Sequence, residues 1–313
     1  MAKKVVNQDL RVVDGWTLWT PGNDQTADPY NLKVPDPNND IDTIQQYPIG
    51  TRLTRGDRAW RYALVGDVDG MSQTTNIRRG MGMLSMAVVN VYTTTTILTE
   101  SGYNTDGDTK LKLNMSTHVD ATQTASAVGL NDYQNGFLTI YDGSSGNYWG
   151  CAIESNTAED ASGYVYLTLE SELPFSLSQS GDYVMVHESP YWKVQPSGSG
   201  NAAGYVGNFG TICGFPGPYN QYKTASSGTD IADSKYIWLQ TWGPYPGIIM
   251  GRAYHGAEAE RYQAMSGTGY PNENTDFHGQ TCGYYIPCTG DGDGTGTDAD
   301  YNNLGAFFLQ ICW

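Results

Sequence analysis

Short aromatic and β-branched runs, each ended by glycine, asparagine, serine or proline, are the feature that most restricts the fold of this chain. One group of runs lies in residues 136–194 and reads GFLTIYDG, NYWGCAI, YVYLTLE, DYVMVHE and YWKV. A second group lies in residues 236–313 and reads YIWLQTW, GIIMGRAY, QTCGYYIP and GAFFLQICW. Such runs are typical of antiparallel strands. The sequence therefore predicts an all-β fold of antiparallel sandwich or barrel domains with very little helix, for which AEAERYQAM at 257–265 is the best candidate.

The N-terminal part has a different composition from these strand-rich regions. Residues 1–46 carry prolines, asparagines and aspartates without a periodic apolar face, so we expect an extended arm that lies on a partner surface. The next segment, YPIGTRLTRGDRAWRYALVG at 47–66, predicts a hairpin with its turn at Arg55-Gly56-Asp57. We expect three units: arm and hairpin at 1–66, a first β domain at 67–200 and a second β domain at 201–313.

Charge is distributed unevenly along the chain, whose net charge is −16. Residues 1–80 hold ten basic and ten acidic side chains, whereas the remaining residues hold seven basic and twenty-three acidic ones. A strongly acidic body repels nucleic acid and anionic membranes, so we expect neither as a partner. The basic cluster in the first quarter would instead meet an acidic protein surface, or it decorates a solvated hairpin.

The five cysteines do not suggest a disulfide framework or a zinc site, because their number is odd and no CxxC pair occurs. Buried free thiols in strands are the expected alternative. The N-terminus carries no apolar signal region, and no apolar run approaches the roughly 18 residues of a membrane span. We expect synthesis in a cytoplasm without an export signal.

Motifs that carry catalytic chemistry are missing from the sequence. None of the four histidines belongs to an HxH or HExxH pattern, and no GxSxG elbow or P-loop occurs. We therefore expect a protein that is not an enzyme. A glycan-active enzyme or carbohydrate-binding module is the alternative, because tyrosines and tryptophans stack on sugars and a pair of carboxylates suits glycoside hydrolysis. The candidate carboxylates are Glu154, Glu170, Glu172 and Glu188.

One acidic loop suggests a cation ligand, although we otherwise expect no cofactor. DGDGTGTDADYN at 291–302 places oxygen-bearing side chains at its first, third and fifth positions, Asp291, Asp293 and Thr295, with Gly296 at the sixth. This order matches the first half of an EF-hand loop, where glycine permits the sharp turn. Position twelve is Asn302 instead of the usual glutamate, so the loop is either a structural calcium site or an ordinary acidic turn.

Four segments resemble structural proteins of tailed bacteriophages. The hairpin segment 47–66 is similar to a Y-P-x-G-T opening followed by a G-D-R-x-[FW]-R-Y-A strand. NGFLTIYDGSSGNYWGCAIESN, ESPYWKV and KYIWLQTWGP resemble further elements of that family, in the same order. The resemblance implies a virion protein on an icosahedral head, of the decoration (cement) type. A tail or fibre component that binds glycans is the alternative, and the major capsid protein fits less well because no long helix is predicted.

The resemblance implies that the chain binds the outer face of the capsid as a homotrimer and locks neighbouring major capsid subunits together. We expect residues 1 to about 66 to lack a core of their own, so that their order comes from a partner surface and the arm and hairpin carry the contact. Apolar anchors would come from three tryptophans and ion pairs from four arginines, which gives the predicted capsid-contact residues Trp16, Trp19, Arg52, Arg55, Arg58, Trp60 and Arg61.

Overall fold

The computed structural model describes residues 9–13, 16–20, 35–38, 40–66, 82–85, 87, 89–93, 102–118, 126–177, 181–196, 212–217, 235–248, 262–265, 271–273, 281–286 and 304–311. Within these residues the chain forms strands only: β1 (Asp9–Val13), β2 (Trp16–Thr20), β3 (Ile41–Asp42), β4 (Arg52–Arg55), β5 (Arg58–Leu64), β6 (Met83–Leu84), β7 (Val89–Thr93), β8 (Lys110–Asn114), β9 (Phe137–Tyr141), β10 (Tyr148–Asn156), β11 (Tyr164–Leu169), β12 (Tyr183–His187), β13 (Gln195–Pro196), β14 (Ile212–Pro216), β15 (Tyr236–Ile248), β16 (Tyr262–Met265), β17 (Pro271–Glu273), β18 (Thr281–Ile286) and β19 (Leu304–Gln310). The all-β prediction is confirmed.

The strands form two sheets in which every pair of strands is antiparallel. The larger sheet has 13 strands and follows the order β1-β2-β4-β5-β15-β19-β18-β16-β17, with β3, β6, β13 and β14 off this path. The smaller sheet has six strands in the order β7-β12-β9-β10-β11-β8. The larger sheet joins the N-terminal hairpin to C-terminal strands, whereas the smaller one uses residues 89–169 and 183–187 alone. The predicted domain boundaries stay a prediction, since strand pairing defines sheets and not independently folding units.

The hairpin predicted at 47–66 is confirmed, with its turn in the predicted place. β4 and β5 pair so that Arg55 lies opposite Arg58, and Gly56 and Asp57 form the two-residue turn. Gly56 has a φ of 53°, a left-handed conformation that glycine adopts without steric cost. A positive φ at the first turn position, without one at the second position Asp57, is characteristic of a type II′ turn, whose twist matches that of the two strands.

The hairpin packs into an aromatic core, which corrects one expectation. Leu53 and Tyr62 are fully buried, and Tyr62 lies among Tyr47, Tyr236 and Trp238 with ring centroids 5.0–5.7 Å apart. Rings at these separations add to the hydrophobic stabilisation from burial. The expectation that residues up to 66 lack a core is therefore wrong for 47–64, because both faces of β5 are covered.

Two further local predictions are wrong. The helix predicted at 257–265 is contradicted at Tyr262–Met265, which is strand β16, paired with β17 and β18; residues 257–261 lie outside the described part. The strand predicted at YWKV is a turn, in which Lys193 has a φ of 54° and only Val194 makes a single bridge, to Val65. Sheet pairing overrides helix propensity in the first case, and a left-handed residue ends the extended backbone in the second.

The thiol prediction is confirmed where the structure describes the cysteines. Cys151, Cys213 and Cys282 are buried and take part in no disulfide. Burial raises the pKa of the Cys151 thiol to about 11 and that of Cys282 to about 12, so both thiols stay protonated. A helix long and apolar enough to cross a membrane does not occur among the described residues.

Candidate functional site

The β4–β5 hairpin exposes three of the four predicted arginines. Arg52, Arg55 and Arg58 are exposed, and so are the turn residues Gly56 and Asp57. Arg61 differs, because it is partly buried and its Nη1 donates to the carbonyl oxygen of Gly50 at 2.9 Å. Its guanidinium also lies 5.8 Å from the ring centroid of Tyr191. Strand alternation places Arg55 and Arg58 side by side on one face of the hairpin next to the turn, whereas Arg52, opposite Arg61, lies on the other face. Three of the four arginines are therefore exposed on the hairpin, and the fourth is used inside the chain.

Trp60 needs a correction, because it is not a surface anchor. Only 1% of its surface is exposed, and it packs in the core with Leu53 and Trp238. A side chain buried in its own chain offers almost no apolar area to a partner. Its indole instead fixes β5 beneath the exposed tip.

A bulge in β15 supports the tip from behind. The pairing of β15 with β5 shifts register between Gln240 and Trp242. The buried amide of Gln240 closes this bulge, since its Nε2 lies 2.9–3.3 Å from the carbonyl oxygens of Trp242, Gly243 and Pro244. Gly243 has a φ of 92°, and a Cβ there would lie 2.0 Å from the carbonyl oxygen of Asp57. The hairpin turn and the bulge therefore touch backbone to backbone, a contact that only glycine permits.

A groove of about 630 Å³ runs beside the tip, between the hairpin and residues 35–38. Carboxylates hold these residues in place: the backbone amide of Asn38 donates to the Asp36 carboxylate at 3.0 Å, and the backbone amide of Asp36 donates to the Asp40 carboxylate at 2.7 Å. Its lining side chains, which include two arginines and one aspartate, are Pro35, Asp36, Asn38, Arg55, Gly56, Arg58 and Trp60. A lining that combines Arg55 and Arg58 with Asp36 suits a polar partner segment.

The other predicted contact residues lie in the arm. Trp16 and Trp19 belong to β2, whose Thr17, Leu18 and Trp19 pair with Thr54, Leu53 and Arg52 of β4. Part of the predicted arm is therefore a strand that extends the sheet beyond the hairpin. The side chains of these two tryptophans are outside the described residues, so their role as anchors stays a prediction.

The structure describes the candidate carboxylates in part but not the candidate metal ligands. Asp291, Asp293 and Thr295 lie outside the described residues, so the calcium loop stays a prediction. In the described part of the chain, no group of three or more metal-ligating side chains occurs. Glu188 is buried beside Tyr92 and Tyr133, whereas Glu154 and Glu170 both lie near Cys151.

Sequence reasoning missed the groove and the bulge. Pro35 and Asn38 belong to a segment predicted as an arm, and the role of Gln240 depends on the register of β15 against β5. Only the glycine in the WGP motif at 242–244 gave a signal, since glycine inside a strand often marks a bulge. No family model matches this chain, and no curated protein or solved structure matches it either.

Proposed function

We propose that this chain is a structural protein of a bacteriophage particle that decorates the outer face of the capsid and binds the major capsid protein through the β4–β5 hairpin. The observation that carries the proposal is the set of exposed arginines Arg52, Arg55 and Arg58 on a hairpin held by a buried core. Exposed guanidinium groups held in place on an otherwise acidic chain suit attachment to an acidic protein surface.

Support for a structural role comes from the resemblance of four segments to phage structural proteins and from the all-β fold. Decoration of a lattice needs many identical non-catalytic contacts, and a sheet scaffold with a fixed projection supplies them. The chain would act as a homotrimer, so that one molecule bridges neighbouring capsid subunits. Light scattering on the purified protein tests this part, and a monomer both in solution and on particles would contradict it.

The expected strength of the contact follows from its exposure. Each rim ion pair contributes on the order of 0–1 kcal/mol, so three arginines together contribute at most about 3 kcal/mol, a change in affinity of up to roughly 150-fold. Trp16 and Trp19 would add the apolar part of the contact, since buried aromatic anchors usually dominate binding energy. Screening by salt acts on the arginines alone.

Co-sedimentation with empty heads assembled from the major capsid protein of the same phage tests the proposal. We expect the wild-type protein to pellet with heads, and the triple Arg52→Ala, Arg55→Ala, Arg58→Ala variant to bind more weakly and with less salt dependence. Lys110→Ala is the matched control, because Lys110 is an exposed cation on the other sheet. The corresponding triple lysine variant separates charge from guanidinium geometry.

Two results would overturn the proposal in distinguishable ways. Failure of the wild-type protein to bind any heads would contradict the decoration function. Full binding by the triple alanine variant, at an affinity equal to that of Lys110→Ala, would show that another surface carries the contact.

A further inference from the structure

Three tyrosines form an exposed row across the smaller sheet. Tyr141 of β9 lies directly opposite Tyr183 of β12 on one side and Tyr148 of β10 on the other. The ring centroids are 6.0 Å apart for Tyr141 and Tyr183 and 4.9 Å apart for Tyr141 and Tyr148. Tyr148 is 72% exposed and Tyr183 is 44% exposed. The row therefore runs perpendicular to three adjacent strands, with its outer rings open to solvent.

The core does not require these aromatic residues. Alternate residues of β9 and β12, among them Leu138, Ile140 and Val184, point inward and are fully buried. The tyrosines occupy the outward positions, where polar residues are usual in a sheet with one solvated face. Neighbouring exposed aromatic groups on such a face mark a binding surface.

A second aromatic pair continues this face. Phe137 is 48% exposed, and its ring centroid lies 6.2 Å from that of His187 on the paired strand. A Cβ at Gly150 would lie 2.9 Å from the end of the Phe137 ring, so the ring covers the glycine and lies flat on the sheet. The outward surface next to the tyrosine row is therefore also apolar, and it is nearly flat.

Hydrogen-bonding groups rim one end of the tyrosine row. The turn between β9 and β10 exposes Ser144, Ser145 and Asn147 directly beside Tyr141 and Tyr148. Asp142 fixes this turn, because it accepts hydrogen bonds from the hydroxyls of both serines and from the amide of Ser144 at 2.8 Å. These donors lower the pKa of Asp142 to about 2. The rim is therefore pre-organised.

We infer that the tyrosine row binds a neutral polysaccharide. The apolar C–H face of a sugar ring packs on the electron-rich face of an aromatic ring, and its hydroxyls bond to groups such as those of the rim. β9 and β12 contain no lysine, arginine or acidic residue, and the one charged residue of β10 is the acidic Glu154, so these three strands offer no cationic partner for an anionic ligand. The net charge of −16 further disfavours anionic polymers. This inference goes beyond capsid attachment and does not depend on it.

Affinity electrophoresis of the full-length chain in gels that contain β-glucan, mannan, xylan or galactan tests the inference. We expect at least one of these polymers to retard the wild-type protein. The double variant Tyr148→Ala with Tyr183→Ala should bind about tenfold or more weakly, because two stacking contacts are lost. Ile44→Ala is the matched control: Ile44 is 71% exposed but lies outside this sheet, so its loss should leave retardation unchanged.

Hydrogen exchange on the wild-type protein gives a readout that needs no variant. Saturation with the retarding polymer should protect β9, β10 and β12. Absence of retardation by all four polymers, preferential binding to the anionic polymer heparin, or retardation unaffected by the double variant would each overturn the inference. So would a double variant that converts an oligomer to a monomer while polysaccharide binding is absent in the wild type, since the row would then be a subunit interface.

Discussion

Replacement of Gln240 by leucine tests whether the β15 bulge holds the hairpin tip. Gln240 is 1% exposed, and its amide donates to three backbone carbonyls in the bulge. Leucine has a similar volume but no donor, so these carbonyls lose their buried partner. Loss of such a partner costs about 1–3 kcal/mol. We therefore expect the bulge to open more easily by about 2 kcal/mol, a roughly thirtyfold change in the opening equilibrium.

Hydrogen exchange of the β5 and β15 amides is the assay, because it measures local opening and does not require the whole chain to unfold in one step. The matched control is Gln310→Leu, since Gln310 lies opposite Trp242 on β19 but is exposed. Surface substitutions of this kind change stability by about 0.5 kcal/mol or less. Equal exchange rates in the two variants would refute the role assigned to the Gln240 amide.

Three further predictions concern stability. Tyr62→Phe should lower the free energy of unfolding by about 1–3 kcal/mol in urea titration, because the Tyr62 hydroxyl donates to Asp42 at 2.7 Å; an effect no larger than that of the exposed Tyr183→Phe would contradict this. Burial lowers the pKa of His187 below its ordinary value of 6.5, so His187 binds its proton at a higher pH in the unfolded chain than in the folded one. The free energy of unfolding therefore falls as the pH drops below 6.5. His187→Gln should reduce this acid-side loss in pH-dependent unfolding, and an unchanged pH profile would argue against it. If calcium binds at 291–302, EDTA should lower the melting temperature, and Asp291→Ala with Asp293→Ala should remove that sensitivity. A wild-type melting temperature that EDTA does not change would show that the loop is an ordinary acidic turn.

Local pairing was predictable from the sequence where a tight turn joins two strands. The β4–β5 hairpin and the β9, β10, β11 and β12 strands follow from alternating patterns cut by glycine and asparagine. Burial on both faces of a strand was not predictable from alternation. Trp60 and Ala59 point to opposite faces of β5, yet both are buried because β4 and β15 flank the strand and other segments cover it.

Pairing between strands that are far apart in the sequence could not be predicted, because local patterns do not specify which strands pair or in which register. The tyrosine row depends on β12 lying beside β9, although these strands are separated by β10 and β11 along the chain. A shift of one residue in that pairing would move Tyr183 to the core face. The same holds for the bulge, where Gln240 acts through a register that no local pattern specifies.

A cryo-EM map of the assembled particle tests the central claim most directly. We expect density for this chain on the outer face of the capsid, with three copies around a threefold axis. The β4–β5 hairpin should face the shell, with Arg52, Arg55 and Arg58 within ion-pair distance of capsid carboxylates. Density for the chain elsewhere on the particle, or a hairpin tip that points into solvent, would contradict the account.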